Sequence, residues 1–153
     1  MDQILNRALR QDETLGERLM LELTESSVML VPEIVADFMA SLQGRGIAFA
    51  LDDFGSGRVA FRHFREFLFD AVKIDGQFIR NVHRNPDNQS LTRALIAVAR
   101  EFEMLVVAES VESEAEAEFL VSHGVECLQG YLFGPPTIRP PWLQSDTDSP
   151  SAA

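Results

Sequence analysis

The sequence predicts an α/β fold in which parallel strands alternate with helices, and three observations support this. First, five short apolar runs recur along the chain without the apolar–polar alternation of half-solvated strands. Second, the segments between these runs carry apolar residues at helical spacing. Third, glycine, proline and asparagine stand where helices would begin or end. Strands joined through helices form a parallel sheet with right-handed connections.

The five apolar runs are predicted to be neighbouring parallel strands, paired in chain order. They are Leu19–Thr24, Ile47–Asp52, Ala71–Ile74, Leu105–Ala108 and Glu126–Leu128. Five strands suit an open doubly wound sheet. A complete (β/α)₈ barrel commonly takes about 250 residues, which is more than the 153 of this chain.

Helices are predicted between these strands. The candidate segments are Gln3–Leu9, a helix from Pro32 through Leu42, Val59–Leu68, a helix capped by Asn85 that extends to Phe102, and a helix from Ser113 to near Gly124. Ser113 and Glu116 have the spacing of a capping box, in which each residue satisfies a backbone N–H of the other. Beyond Pro136 the composition turns to proline, serine, aspartate and threonine, which predicts a loose tail over 137–153.

Composition narrows the function classes. The net charge of −11 disfavours a groove that follows a nucleic-acid polymer, although carboxylates can hold metals that bind phosphate groups. The single Cys127 excludes an internal disulfide, and Met1–Arg10 lacks the apolar core of an export signal. No segment is long and apolar enough to span a membrane. We therefore expect a cytoplasmic protein with a single domain.

Polar and charged residues stand at the carboxyl ends of all five predicted strands, where parallel α/β folds bind their ligands. These residues are Glu22, Asp52, Asp53, Lys73, Glu109 and Gln129. Glu22 and the two aspartates offer hard oxygen ligands, which suit Mg²⁺ or Mn²⁺ better than zinc. Structural readings remain open: the Asp-Asp pair can be a simple turn, and Lys73 can be a counter-ion that pairs with Glu109.

Five motifs in register resemble the EAL family of bacterial cyclic-di-GMP phosphodiesterases. They are Glu-Leu-Thr-Glu-Ser at 22–26, Leu-Asp-Asp-Phe-Gly-Ser-Gly at 51–57, Val-Lys-Ile-Asp at 72–75, Val-Ala-Glu-Ser-Val-Glu at 107–112 and Gln-Gly-Tyr-Leu-Phe-Gly-Pro-Pro at 129–136. The resemblance implies a modified (β/α)₈ TIM-type barrel whose strand ends hold two divalent metal ions, Mg²⁺ or Mn²⁺. It also implies hydrolysis of cyclic di-GMP to the linear dinucleotide.

The resemblance assigns a role to each matching residue. Glu22, Asp52, Asp53 and Glu109 are similar to metal ligands, and Lys73, Glu109 and Gln129 to the residues that position the attacking water. Glu25 is similar to the glutamate that steadies the loop from Asp53 to Arg58, and Glu112 to an acid that supports the site.

The chain also departs from the family pattern. The name-giving Glu-Ala-Leu strand and the next strand, which carries an asparagine ligand, have no counterpart in it. Arg58-Val59-Ala60 replaces the usual tyrosine and small polar residues, and Ser110 stands where the family usually has glycine. The segment 138–153 replaces the usual C-terminal helix. We expect residues 1–136 to be a partial EAL domain, truncated at its N-terminus and inactive alone.

Two rival functions stay open beside the enzyme. One is a degenerate EAL domain that acts as a non-catalytic binding or regulatory module, and the other is a different metal-dependent barrel enzyme. The expected partners are cyclic di-GMP and either a second copy or an upstream signalling domain. Because the predicted strand Leu19–Thr24 would leave one edge unpaired, we also expect the chain to self-associate.

Overall fold

The computed structural model describes residues 2–56 and 67–138. Its strands are β1 (Met20–Thr24), β2 (Ala48–Phe54), β3 (Ala71–Ile74), β4 (Leu105–Ala108) and β5 (Cys127–Leu128). Its α-helices are α1 (Asp2–Gln11), α2 (Glu25–Leu30), α3 (Pro32–Gln43), α4 (Gly76–Ile79), α5 (Pro86–Glu101) and α6 (Glu114–Ser122), and a 3₁₀ helix covers Glu13–Arg18.

The strands form one parallel sheet in the order β1-β2-β3-β4-β5. The predicted strand order and direction are therefore confirmed. The boundaries shift by one or two residues: β2 continues to Phe54, and Glu126 precedes β5 rather than beginning it. Glu126 instead accepts a hydrogen bond from the Val106 backbone N–H at 3.1 Å, so its carboxylate serves the neighbouring strand.

The central strands are buried because helices cover the sheet. Phe49 and Leu51 of β2, Val72 and Ile74 of β3 and Val106 of β4 are all fully buried. This explains why the strands read as continuous apolar runs rather than alternating patterns. The apolar surface removed from water in these strands is the main stabilising contribution of the core.

Local signals place the helix starts. The Asn85 side chain accepts hydrogen bonds from the Asp87 and Asn88 backbone N–H groups, and Pro86 occupies the first turn of α5. The predicted Ser113–Glu116 capping box is present at the start of α6. Helix α2 was not predicted. It begins directly after β1, with the Thr24 side chain as its cap.

The predicted helix Val59–Leu68 lies largely outside the described residues. Phe67 and Leu68, its last two positions, are described and are not helical, so the prediction is wrong there. Phe67 is buried whereas Leu68 is exposed. This alternation of buried and exposed side chains is typical of an extended chain, which here leads into β3. Across 2–56 and 67–138, none of the helices has the length and apolarity needed to cross a membrane.

Candidate active site

The site begins with a glutamate on the first strand. Glu22 lies in the middle of β1, opposite Ala50 of β2, and its side chain is 51% exposed. Within the part of the chain that the structure describes, β1 pairs only with β2, so Glu22 stands on the outermost strand of this sheet. Its carboxylate nevertheless reaches inward, where it accepts a hydrogen bond from Lys73 Nζ at 2.9 Å.

The Asp-Asp pair occupies an irregular end of β2. The pairing register between β2 and β3 shifts between Leu51 and Phe54, so the two aspartates lie in a β-bulge. Asp53 has a positive φ of 58°, a conformation that side chains rarely adopt and that commonly marks functional sites. The bulge interrupts the regular alternation of side chains between the two faces of the sheet at this end of the strand.

The environment of Asp53 is strongly acidic. Desolvation raises the pKa of this carboxyl above its ordinary value, and the negative charges of Asp52, Asp75 and Glu25 raise the pKa further. Asp75, the last residue of the Val-Lys-Ile-Asp motif, was not predicted to be a site residue. Its place directly after β3 is the signal that could have identified it, because Glu109 and Gln129 stand directly after β4 and β5.

Lys73 is the hub of the cluster. It belongs to β3, is 6% exposed, and directs Nζ toward three described carboxylates from three different strands or strand ends. The distances are 2.6 Å to Glu109 Oε1, 2.9 Å to Glu22 Oε2 and 3.7 Å to Asp52 Oδ1. The sequence had left open whether Lys73 is a counter-ion to these acids, and in this structure it is one.

The ammonium group of Lys73 remains charged despite its burial. Burial acts to lower the pKa of Lys73, but hydrogen bonds to Glu109 and Glu22 and the charges of Glu109 and Asp52 outweigh burial. The pKa is therefore held above its ordinary value. A permanent positive charge at this position draws together carboxylates that would otherwise repel one another.

The donor set suits a hard divalent cation. Carboxylate oxygens from Glu22, Asp52, Asp53 and Glu109 are the ligand type that Mg²⁺ and Mn²⁺ prefer. Within residues 2–56 and 67–138, however, no three histidine, cysteine or acidic side chains are arranged to hold one metal ion. Three of these carboxylates, those of Glu22, Asp52 and Glu109, are gathered on Lys73 instead. A metal that enters this cluster must therefore share these oxygens with the ammonium group.

The glycine turn after β2 is tied to the start of α2. Glu25 is 2% exposed, and the Ser56 hydroxyl donates a hydrogen bond to its Oε2 atom. The rest of the predicted loop partner, residues 57 and 58, lies outside the described residues. The contact at Ser56 agrees with a role for Glu25 in steadying this loop.

The backbone at the end of β4 is tightly confined. Ser110, directly after Glu109, has a positive φ of 57°, which explains why a glycine is the easier residue there. A Cβ atom at Gly76 would collide with the Ser110 side chain, and one at Gly130 would collide with the Val111 backbone. Glu109 is therefore presented from a segment that two neighbouring glycines allow to pack closely.

A cavity of about 990 Å³ opens beside this segment. Arg80, Glu109, Glu112, Gln129 and Tyr131 are among the residues that line it. Glu109 is the side chain shared between the cavity and the Lys73 cluster, because the cavity lining does not include Glu22, Asp52, Asp53 or Lys73. Glu22, Asp52, Lys73 and Glu109 thus form a charged cluster, and Glu109, Glu112 and Gln129 line the adjoining cavity.

Comparisons with known proteins agree with this geometry. The family model described as EAL domain matches residues 1–136. The chain is 39% identical over 116 residues to the cyclic di-GMP phosphodiesterase PdeR of Escherichia coli. The matched region covers 76% of this chain and 18% of PdeR. The chain thus spans less than a fifth of that relative's length.

Solved structures show the same architecture. The PaMucR phosphodiesterase in complex with c-di-GMP has a TM-score of 0.80 and 32% identity, covering 86% of this chain and 53% of that chain. The Klebsiella pneumoniae BlrP1 manganese and cyclic-di-GMP complex has a TM-score of 0.73 and 28% identity, covering 79% of this chain and 31% of that chain. The described sheet therefore corresponds to part of an EAL-type barrel.

Proposed function

This chain belongs to the EAL domain family, and from that premise we propose that its residues form part of a metal-dependent phosphodiesterase site for cyclic di-GMP. The observation that carries this proposal is the convergence of Glu22, Asp52 and Glu109 on the buried Lys73. A core that needed only one counter-ion for Lys73 would need one acid. Three acids from separate strands supply the negative charge that a divalent cation requires.

In the proposed mechanism, Glu22, Asp52, Asp53 and Glu109 would hold two ions, Mg²⁺ or Mn²⁺. When bound, such ions lower the pKa of the attacking water and neutralise charge on the phosphodiester. Lys73 holds the carboxylates of Glu22 and Glu109 in fixed orientations through hydrogen bonds of 2.9 and 2.6 Å. In this proposal the ammonium group of Lys73 also orients the attacking water beside Glu109.

The cavity next to Glu109 is the proposed seat of the dinucleotide. It combines the cationic Arg80 with amide and aromatic groups from Gln129 and Tyr131, and Tyr131 is 71% exposed. An arginine suits a phosphate or a purine edge, and an exposed aromatic ring suits base stacking. The reaction breaks one phosphodiester bond in line with the attacking water, and the cyclic molecule opens to the linear dinucleotide.

We propose further that the 153-residue chain alone does not turn over substrate. The described residues form five strands, whereas the family's barrel is built on eight. In-line hydrolysis requires reacting groups held within a fraction of an ångström, so incomplete coordination would cost more in rate than in binding. We also propose that the protein works in the cytoplasm, together with a second copy of itself or with an upstream signalling domain.

A non-catalytic module is the second candidate, and one observation favours it. The acids Glu22, Asp52 and Glu109 already have a counter-ion within this chain, the buried Lys73. Such a site could bind a cyclic dinucleotide in the cavity and signal through protein contacts. The two candidates differ in turnover rather than in ligand.

The test is nucleotide release followed by chromatography, with Mn²⁺ present. The proteins compared are this chain, a polypeptide extended upstream through the Glu-Ala-Leu segment, and the extended polypeptide with Glu109→Ala. Hydrolysis by the extended polypeptide alone supports the proposal. Equal rates for the short and extended proteins would refute the inactivity of the short chain. Binding without hydrolysis by either would favour the module.

A further inference from the structure

A second buried charge lies between two loops that line the cavity, and the proposed mechanism does not use it. Glu116 belongs to the first turn of α6 and is 5% exposed. The ion pairs of the described residues do not include it. A buried carboxylate without a cation must be satisfied by hydrogen bonds, and three backbone N–H groups donate to this one.

The three donors come from two separate loops. Glu116 Oε2 accepts from the Glu112 and Ser113 N–H groups, each at 3.0 Å, on the loop between β4 and α6. Glu116 Oε1 accepts from the Asn81 N–H at 2.6 Å, on the segment that follows β3 and α4. An ordinary capping box accounts only for the bond to Ser113. The bond to Asn81 crosses 35 positions of sequence.

Both loops contribute to the wall of the cavity. Arg80, directly before Asn81, lines it on the first loop (the Arg80 flank), and Glu112 lines it on the second (the Glu112 flank). Asn81 has a positive φ of 57°, so its backbone is held in a strained conformation at the point where the N–H reaches Glu116. The Arg80 flank is further fixed by Asn88, whose side-chain amide donates to the Arg80 carbonyl at 3.1 Å.

Charge effects agree with this arrangement. Burial acts to raise the pKa of Glu116. Hydrogen bonds from the backbone of Glu112, Asn81 and Ser113 and from the Ser113 side chain act in the opposite direction. They outweigh burial and hold the pKa of Glu116 below its ordinary value. Glu116 is therefore ionised at neutral pH, and its N–H bonds are charge-assisted.

We propose that Glu116 is a positioning residue that fixes the separation of the Arg80 flank and the Glu112 flank, and so determines how tightly the cavity holds a cyclic dinucleotide. This inference rests on the proposed function, because it takes the cavity to be the nucleotide seat. Glu116 does not touch the ligand itself. It acts through the backbone of the two loops whose side chains do.

The test compares Glu116→Gln with the matched control Glu114→Gln. Glu114 is exposed in the same helical turn, so its substitution removes the same charge without affecting the two loops. The glutamine side chain has a single carbonyl oxygen, so it can accept hydrogen bonds from the backbone N–H groups of only one of the two loops. We expect the dissociation constant for cyclic di-GMP, measured by calorimetry with Mg²⁺, to rise about tenfold in Glu116→Gln and to stay unchanged in the control.

Amide hydrogen exchange supplies a second readout that needs no nucleotide. We expect exchange at Asn81 or Glu112 to accelerate about tenfold in folded Glu116→Gln. A third variant, Glu116→Asp, retains the charge but is too short to reach Asn81, and should accelerate exchange at Asn81 alone. It keeps the test valid if the glutamine variant folds poorly.

The outcomes separate this inference from the proposed function. A lowered melting temperature with an unchanged dissociation constant would show that Glu116 is merely structural and would overturn the inference. Unchanged exchange at both amides would overturn it as well. A wild-type chain that binds no cyclic di-GMP would instead refute the proposed function, and the coupling of the two loops would then be decided by exchange alone.

Discussion

Two buried charges lie close to the cavity, and they are stabilised in different ways. One is Lys73 in its cluster of carboxylates, and the other is Glu116 in what we call the Glu116 junction, with its backbone donors Asn81, Glu112 and Ser113. Lys73 is held by side-chain carboxylates that arrive from three separate strands or strand ends. Glu116 is held by backbone N–H groups of two loops. Side-chain partners can rotate toward another cation, whereas backbone partners can move only if the loops move.

This difference assigns the two regions to different tasks. Under the proposed function, the carboxylates of the Lys73 cluster share their oxygens between the ammonium group and metal ions, which movable side chains permit. The Glu116 junction cannot exchange its partners without reshaping the cavity wall, and this is what a rigid support requires. The two regions should therefore respond differently to metal, to pH and to substitution.

The largest effect is expected for Lys73→Met. Removing one partner of a buried charge cluster leaves the others uncompensated and commonly costs about 3 kcal/mol or more. We expect a loss of this size in urea unfolding with a chelator present, and recovery of much of it with Mg²⁺ or Mn²⁺, because the metal then neutralises the carboxylates. Lys73→Arg is the matched control. An equal loss with and without metal would contradict metal binding by this cluster.

Glu116→Ala should destabilise the chain by about 2 kcal/mol, since it leaves buried N–H groups without an acceptor. The decisive feature is that this loss should be the same with chelator and with metal. Urea unfolding under both conditions measures it, with Glu114→Ala as the control. Recovery by metal would mean that the junction is part of the metal site rather than a support.

The pH dependence of Glu116 has a definite sign. Its folded-state pKa lies below its unfolded value, so the stability it contributes is complete above pH values of about 4.5. The contribution is then lost as the pH falls through the folded-state pKa. The stability difference between wild type and Glu116→Gln should therefore be constant near neutral pH and narrow in acid. A difference that widened in acid would contradict the ionised state of Glu116.

The smallest effect on stability is expected at Ser110, which lies between Glu109 of the Lys73 cluster and the loop held by Glu116. Its positive φ of 57° is strained for serine and unstrained for glycine. Ser110→Gly should therefore stabilise the chain by about 0.5 to 1 kcal/mol in urea unfolding. Ser122→Gly, in the helix α6, is the contrasting control and should destabilise. Loss of stability at Ser110 would show that its side chain contributes more than its backbone costs.

Sequence reasoning predicted the Lys73 cluster better than the Glu116 junction, for a physical reason. Charges within or directly after apolar strands stand out, and parallel strands point their carboxyl ends the same way, so Glu22, Asp52 and Glu109 could be predicted to converge. Glu116 had a complete local explanation in its capping box. Its bond to Asn81 depends on how two loops approach in space, and no local pattern encodes that distance.

The β-bulge at Asp53 was missed for a related reason. The sequence placed the end of β2 at Asp52, because two adjacent acids followed by a glycine turn usually terminate a strand. In the structure β2 continues to Phe54 with a shifted register, since Phe54 is buried and pairs with Ile74. The burial of one phenylalanine outweighed the local turn signal.

The central claim is that the carboxylates gathered by Lys73 are metal ligands. Titration with Mn²⁺, with free metal followed by electron paramagnetic resonance, tests it most directly. The account predicts that wild type removes free Mn²⁺ from solution, that Asp52→Asn and Glu109→Gln weaken binding at least tenfold, and that the exposed control Glu118→Gln does not. Equal Mn²⁺ affinity in all four proteins would contradict the claim and leave Lys73 as a structural counter-ion.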